Sequence, residues 1–285
     1  MTSPTTSPTT TLAVANQKGG VAKTTSVASL GAALAELGHS VLLVDLDPQA
    51  CLTFSLGIDP EDVEVSIHHV LTKGTHVSEV VIQTDDGVDL LPATIELARA
   101  EADLLTRTGR EQALKVALAD LLDGESDDTP GYDWVLLDCP PSLGVLTVAA
   151  LTAADGVLIP LQCETLSHRG VGQLLDTVHD VRRFTNRRLE VWGVLPTLYD
   201  GRTNHARTVL ETISDTYDLE VVEPPIPKTI KFAEAPAAGR SILATSRSSK
   251  GAQAYRDVAA NLVKRAERPR ADKSGKSLKT RAAKA

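Results

Sequence analysis

The sequence predicts a doubly wound α/β fold: a mainly parallel sheet with helices packed on both faces. Three observations predict it. Short, wholly apolar runs alternate with longer stretches of helical periodicity along most of the 285 residues. Hydrophobic residues make up 42% of the chain but aromatics only 3%, so the core is aliphatic, as suits strands buried on both faces. The residues richest in chemistry stand just after apolar runs, at the carboxyl ends of the expected strands, where open α/β sheets bind ligands.

Residues 2–10 nearly repeat Thr-Ser-Pro-Thr and belong to an N-terminal segment, 1–10, expected to be disordered. Leu12-Ala13-Val14-Ala15 reads as the first buried strand. A loop follows, then a helix over 24–37: Val27, Leu30, Leu34 and Leu37 recur at helical spacing and Gly38 ends it. Val41-Leu42-Leu43-Val44 is the second strand. Further strands are expected at 88–91, 134–137, 157–159 and 191–195. Helices are expected at roughly 94–105, 110–122, 143–153, 167–184 and 203–216. A last helix carries Tyr255, Val258, Ala259 and Leu262 on one face. Residues 123–131 are acidic and turn-rich and read as a surface loop, because the strand after them completes the site. One domain over 11–266 results, followed by a basic tail, 267–285, expected to be disordered.

Composition narrows the function class. No apolar run approaches the roughly 20 residues that cross a bilayer. The N-terminus lacks the basic and apolar regions of a signal peptide. Cys51, Cys139 and Cys163 are far apart, with no CxxC or Cys/His cluster, which argues against a zinc site or a disulfide scaffold. The chain reads as cytoplasmic and reduced. Its net charge of −8 is uneven. Residues 264–285 hold nine Lys and Arg against two acidic residues, a net of +7, leaving −15 on the remainder. Such asymmetry suggests a polyanionic partner, although terminal basic runs also occur as plain solvated ends.

The stretch Lys18-Gly19-Gly20-Val21-Ala22-Lys23-Thr24-Thr25 lies between the first strand and its helix. Phosphate oxygens need many donors at close range. Gly19 and Gly20 let the backbone approach, and the helix start aims its N–H groups and positive dipole end at the anion. Lys23 adds a charge for the β- and γ-phosphates, and the Thr24 hydroxyl suits Mg²⁺. The second strand ends in Asp45-Leu46-Asp47-Pro48-Gln49. Alternation sends Asp45 and Asp47 the same way beside this loop, and two carboxylates there would repel a triphosphate unless they serve Mg²⁺ or water. Val135-Leu136-Leu137-Asp138 is the Walker B pattern, so Asp138 is expected to hold Mg²⁺ through water. Pro140 and Pro141 stiffen the following turn. Cys139 reads as a small buried residue.

The loop departs from the common Gly-x-x-x-x-Gly-Lys-Ser/Thr form. Gln17 stands at the first Gly position, Ala22 at the last, and Lys18 precedes the Gly pair. Lys-Gly-Gly-x-x-Lys-Thr resembles the deviant Walker A motif of the ParA and MinD group of P-loop ATPases, and the Asp45 to Gln49 stretch resembles the group's second motif. The resemblance runs from Thr11 to about Lys264 and is nearest to the ParA/Soj branch. Leu91-Pro92-Ala93-Thr94, 197–203, Ile226-Pro227-Lys228 and 233–236 also match.

The resemblance implies a slow ATP hydrolase using Mg²⁺, in which ATP is bound by residues 18–25 with Pro227 near the adenine. It implies that Asp47 positions or activates the attacking water, with Asp45 nearer the metal. It implies a homodimer formed on ATP binding, with Lys18 reaching the partner's phosphates. It further implies nonspecific binding of double-stranded DNA, a ParB-like activator, a nucleoid-associated location, and a role in chromosome or plasmid partition or cargo positioning. Candidate DNA contacts are Arg202, Lys228, Lys231, Arg247 and Lys250. Too little chain precedes Leu12 for a helix-turn-helix domain. The tail after Arg265 has only Leu278 as a large aliphatic residue, so membrane cycling of the MinD kind is not expected. Two other readings stay open: a metabolic or redox P-loop protein, and a DNA-independent scaffold that uses ATP only to dimerise.

Overall fold

The computed structural model describes residues 9–119, 121, 131–163, 167–201 and 204–268. Seven strands form one sheet: β1 (Thr10–Val14), β2 (Val41–Asp45), β3 (Ile82–Gln83), β4 (Asp89–Leu91), β5 (Trp134–Asp138), β6 (Gly156–Gln162) and β7 (Glu190–Thr197). Their order is β3-β4-β2-β5-β1-β6-β7. Every pairing is parallel except β3 with β4 at one edge. The helices are α1 (Lys23–Glu36), α2 (Cys51–Ser55), α3 (Ile67–Lys73), α4 (Leu97–Leu105), α5 (Ala113–Ala117), α6 (Val145–Ala153), α7 (Ser167–Phe184), α8 (Asn204–Tyr217), α9 (Lys231–Ala237), α10 (Ile242–Thr245) and α11 (Lys250–Ala266).

The apolar strands alternate between two cores, which is what places helices on both faces. On one side Leu12, Val14, Leu43 and Leu136 pack with Val27, Leu30 and Leu34 of α1 and with Tyr255, Val258 and Leu262 of α11. On the other, Ala13, Val44 and Leu137 pack with Leu146 and Ala150 of α6 and Val171, Leu174 and Val178 of α7. Truncating one of these leucines to alanine would cost about 2–5 kcal/mol. The stripe expected on α1 is wider than its spacing suggests. Ser26, Ala28, Ser29 and Ala32 are buried too, because α11 covers the side away from the sheet. Tyr255 Oη and Ser26 Oγ lie 2.9 Å apart at that contact, which satisfies both buried hydroxyls. At Gly31 a Cβ would stand 2.7 Å from Leu43 Cδ2, so a larger residue would force the buried Leu43 side chain to shift.

The expected order of strands and long helices is observed, with differences in detail. The first strand begins at Thr10, inside the segment read as disordered, and Thr9 Oγ1 donates to the Tyr132 carbonyl at 2.6 Å. The helix expected over 110–122 is a 3₁₀ turn, Arg110–Gln112, followed by α5. The acidic stretch 123–130, the rest of the N-terminal segment and the tail from 269 lie outside the described residues. Sequence periodicity did not reveal α2, α3, β3, α9 or α10.

A candidate nucleotide site at the carboxyl edge of the sheet

The strand register assembles the site. Val14 stands opposite Asp138 across β1 and β5, and Asp45 stands opposite Asp138 across β2 and β5. The ends of three adjacent strands therefore meet, and the loop of residues 15–22 leaves from the first of them. That loop is braced at both ends. The buried Asn16 donates from Nδ2 to the Pro160 carbonyl at 2.7 Å and accepts the Lys18 N–H on Oδ1 at 3.0 Å. Thr197, buried at the end of β7, donates its hydroxyl to the Val21 carbonyl at 2.9 Å.

Gly20 has φ +75° and Ala22 has φ +62°. Glycine adopts this left-handed conformation freely, whereas an alanine pays about 1–2 kcal/mol for it. Strain of this kind persists where surrounding bonds over-determine the backbone, as at a ligand-binding turn. Ala22 is the N-cap of α1, no side chain caps that helix, and its first turn holds no acidic residue. The uncapped N–H groups and positive dipole end of α1 thus open onto the loop, as an anion site requires.

Lys23, 7% exposed, donates from Nζ to the Lys18 carbonyl at 3.3 Å. Burial lowers the pKa of its ammonium, and Asp138, Cys139, Asp47 and Cys51 oppose that shift. Asp138 is fully enclosed, and neither of its carboxylate oxygens has a hydrogen-bond partner. Burial pushes its carboxyl well above the usual range and the Asp45 carboxylate adds to this, while the nearby Thr24 hydroxyl and Lys23 pull the other way. A buried carboxylate with two open oxygens, set beside a threonine hydroxyl at a helix start, fits a hydrated divalent cation. Cys139 is buried, donates its N–H to the Val14 carbonyl at 3.2 Å, and has its thiol pushed up by burial.

Asp45, opposite Asp138 in the register, has its carboxylate turned into the protein's own hydrogen bonds. It is fully buried, and its carboxylate is already engaged: Oδ2 accepts the Thr53 N–H and hydroxyl at 2.9 and 2.8 Å, and Oδ1 accepts the Asp47 N–H at 3.1 Å. Alternation along the strand ends at Asp45, because the chain turns there. Burial pushes its carboxyl up to about 6 against these hydrogen bonds. Asp47 is half-exposed, with Oδ1 accepting the Gln49 N–H at 2.9 Å. Lys18 is partly exposed at the loop's outer edge.

The Pro227 segment reaches the site through β7. The Tyr199 N–H donates to the Ile226 carbonyl at 2.9 Å and the Lys228 N–H to the Tyr199 carbonyl at 3.2 Å, two residues beyond Thr197. Of the basic candidates, Lys228, Lys231, Arg247 and Lys250 are exposed, and Arg202 lies outside the described residues. The Phe232 ring packs edge-on against Tyr255 at 5.7 Å, and a Cβ on Gly251 would stand 2.8 Å from Phe232 Cζ. Phe232 of α9 therefore reaches the first turns of α11 with its ring. Lys231 Nζ pairs with Glu234 at 2.8 Å. Asn16, Thr53 and Thr197 were missed from sequence; only Thr197 opened a segment already singled out. A separate cleft of about 710 Å³, lined by residues including Lys73, Arg107 and Val116, contains none of the motif residues.

A family model described as an AAA domain matches residues 9–191. The chain is 42% identical over 249 residues to the sporulation initiation inhibitor protein Soj of Bacillus subtilis, covering 87% of this chain and 96% of that protein. It is 39% identical over 264 residues to the chromosome partitioning protein ParA of Caulobacter vibrioides, covering 92% and 97%. A solved Mycobacterium smegmatis structure with bound ATP analogue and magnesium, described as a cobyrinic acid a,c-diamide synthase, is 55% identical with a TM-score of 0.78, covering 90% of this chain and 95% of that one.

Proposed function

The chain belongs to the ParA/Soj-type group of P-loop ATPases, and from that premise we propose that it is an ATP-switched, nonspecific DNA-binding protein of the partition or cargo-positioning kind. It is an ATP hydrolase that uses Mg²⁺. In our reading ATP binding assembles a homodimer, DNA holds the dimer on the nucleoid, and hydrolysis prompted by a ParB-like activator releases it. The relatives Soj and ParA support the biological role.

Each residue's part follows from its surroundings. Loop N–H groups and the start of α1 receive the phosphates, and Lys23 exchanges the Lys18 carbonyl for phosphate oxygens. Thr24 and Asp138 would hold the divalent cation, which would supply charge neutralisation for the phosphates. Asp47 orients water toward the γ-phosphate. Asp45 supports Asp47 rather than the metal. Lys18 crosses to the partner's nucleotide.

The observation that carries the DNA reading is the path from phosphate loop to basic surface. The Val21 carbonyl accepts the Thr197 hydroxyl, the chain leaves β7 there for Tyr199, and the Tyr199 carbonyl accepts the Lys228 N–H, near where Phe232 of α9 packs on α11. A basic cluster suffices for phosphate contacts even on an acidic protein. In a test, duplex DNA of arbitrary sequence raises ATP turnover of the wild type and fails to raise that of a Lys228→Ala/Lys250→Ala variant. Turnover indifferent to DNA would contradict the proposal.

The M. smegmatis relative favours a second reading, ATP-dependent amidation of a carboxylate. Taking nitrogen from glutamine calls for a thiolate nucleophile. Burial pushes up the thiols of Cys51, Cys139 and Cys163, the last to about 11, which weighs against that chemistry. Release of ADP dependent on ammonia or glutamine together with a corrinoid carboxylate would favour the amidation reading.

A further inference from the structure

The segment Leu91-Pro92-Ala93-Thr94 leaves the end of β4. Its Ala93 N–H donates to Thr53 Oγ1 at 3.0 Å. That hydroxyl in turn donates to Asp45 Oδ2 at 2.8 Å, and the Thr53 N–H donates to the same oxygen at 2.9 Å. The other Asp45 oxygen accepts the Asp47 N–H at 3.1 Å. Thr53 and Asp45 are both fully buried. A continuous chain of hydrogen bonds therefore runs from Ala93 through Thr53 and Asp45 to the backbone of Asp47.

We infer that Thr53 is a positioning residue for hydrolysis: its hydroxyl, held between the Ala93 N–H and the Asp45 carboxylate, fixes the turn that presents Asp47. The inference rests on the reading of Asp47 as the residue that orients water. Three features make the hydroxyl the critical part. It is the one group in the chain that both accepts and donates, so no aliphatic side chain of the same shape replaces it. It sits at the middle of α2, a helix of five residues whose N-cap Ala50 adopts φ +51°, so the element has little hydrogen bonding of its own to hold the turn. And the Asp47 turn is otherwise tied by the Ala50 N–H to Asp47 carbonyl bond at 2.8 Å and the Gln49 N–H to Asp47 Oδ1 bond at 2.9 Å, both internal to it. The Leu46 N–H also ties the turn to the Asp138 carbonyl at 3.0 Å, and among the described residues the Asp45–Thr53–Ala93 chain is what anchors it to the sheet through side chains. This assigns the Leu91 to Thr94 segment a purpose: it supplies the fixed N–H that orients Thr53.

The test compares Thr53→Val, which keeps the shape and the backbone N–H, with Thr53→Ser, which keeps the hydroxyl. Thr53→Val is expected to lower kcat about ten-fold or more, since small displacements of a positioned group carry penalties of that size, with KM for ATP and ADP affinity within about two-fold of wild type. Amide hydrogen exchange at Asp47 and Ala93 is expected to quicken in the same variant. Thr53→Ser is expected to restore wild-type kcat and slow exchange. A Thr53→Val kcat within two-fold of wild type would overturn the inference. If Thr53→Val does not fold, Thr53→Ser decides: a serine variant as slow as Asp47→Ala would show that the methyl group, not the hydroxyl, matters, and would overturn it equally. Asp47→Ala, measured alongside, separates the two levels. Normal turnover in Asp47→Ala removes the reading on which the inference rests, whereas slow turnover there with normal turnover in Thr53→Val removes the inference alone.

Discussion

Lys23 Nζ donates to the carbonyl oxygen of Lys18 at 3.3 Å, so one lysine of the loop closes it onto the backbone of the other. The ammonium is buried and aimed along the loop before any phosphate arrives, which reduces the ordering that binding demands. Lys23→Ala is expected to weaken ATP binding by about 100-fold or more, a loss of roughly 3 kcal/mol in keeping with a desolvated charge-assisted contact. Titration calorimetry measures it, and retained affinity would refute the loop assignment.

Lys18 is partly exposed while its backbone N–H is fixed by Asn16. Lys18→Ala is expected to bind ATP with near wild-type affinity but to remain monomeric with ATP and Mg²⁺ in sedimentation velocity. Dimerisation and turnover at wild-type levels would remove the cross-subunit role.

The carboxyls of Asp45 and Asp138 are both raised, the first to about 6. Between the unfolded value near 3.9 and about 6, the folded state therefore holds protons that the unfolded chain has lost. The Asp45 contribution to stability is fullest below the unfolded value and declines as pH rises through about 6. A cation at Asp138 favours the ionised form. Binding of ADP with Mg²⁺ near pH 6 is thus expected to release protons, seen as a buffer-dependent enthalpy in calorimetry, and to release fewer with EDTA or in Asp138→Asn. Equal enthalpies in buffers of different ionisation heat would contradict this.

Among the basic residues, Lys231 is already paired with Glu234 at 2.8 Å. Lys250→Ala is therefore expected to reduce the salt slope of DNA binding by about 1, and Lys231→Ala by less. A larger effect from Lys231→Ala would show that the pair opens toward DNA.

The central strands and long helices were legible because each buries an aliphatic run between two helical layers, so periodicity and length agree. The short elements were not. α3 begins with a capping box in which His69, not a glutamate, accepts the Ser66 N–H at 3.2 Å. β3 has only two residues, and α9 carries Pro236 within it. The site was legible where a motif encodes backbone geometry, as at Lys18 to Thr25. It was less so where a side chain turns back on its own chain. Strand alternation sent Asp45 and Asp47 the same way, whereas the turn after β2 directs the Asp45 carboxylate to Thr53 and to the Asp47 backbone. Thr53 and Asn16 act through tertiary hydrogen bonds to Ala93 and Pro160, partners that no local pattern names.

Binding of a labelled DNA duplex of arbitrary sequence, followed by fluorescence anisotropy across a salt series with ATP and Mg²⁺, with ADP, and without nucleotide, tests the ATP-switched DNA binding most directly. The account predicts tight binding with ATP alone, with log K falling linearly against log salt at about −0.9 per phosphate contacted. Absence of binding at low salt with ATP and Mg²⁺, or equal binding in all three nucleotide states, would contradict it.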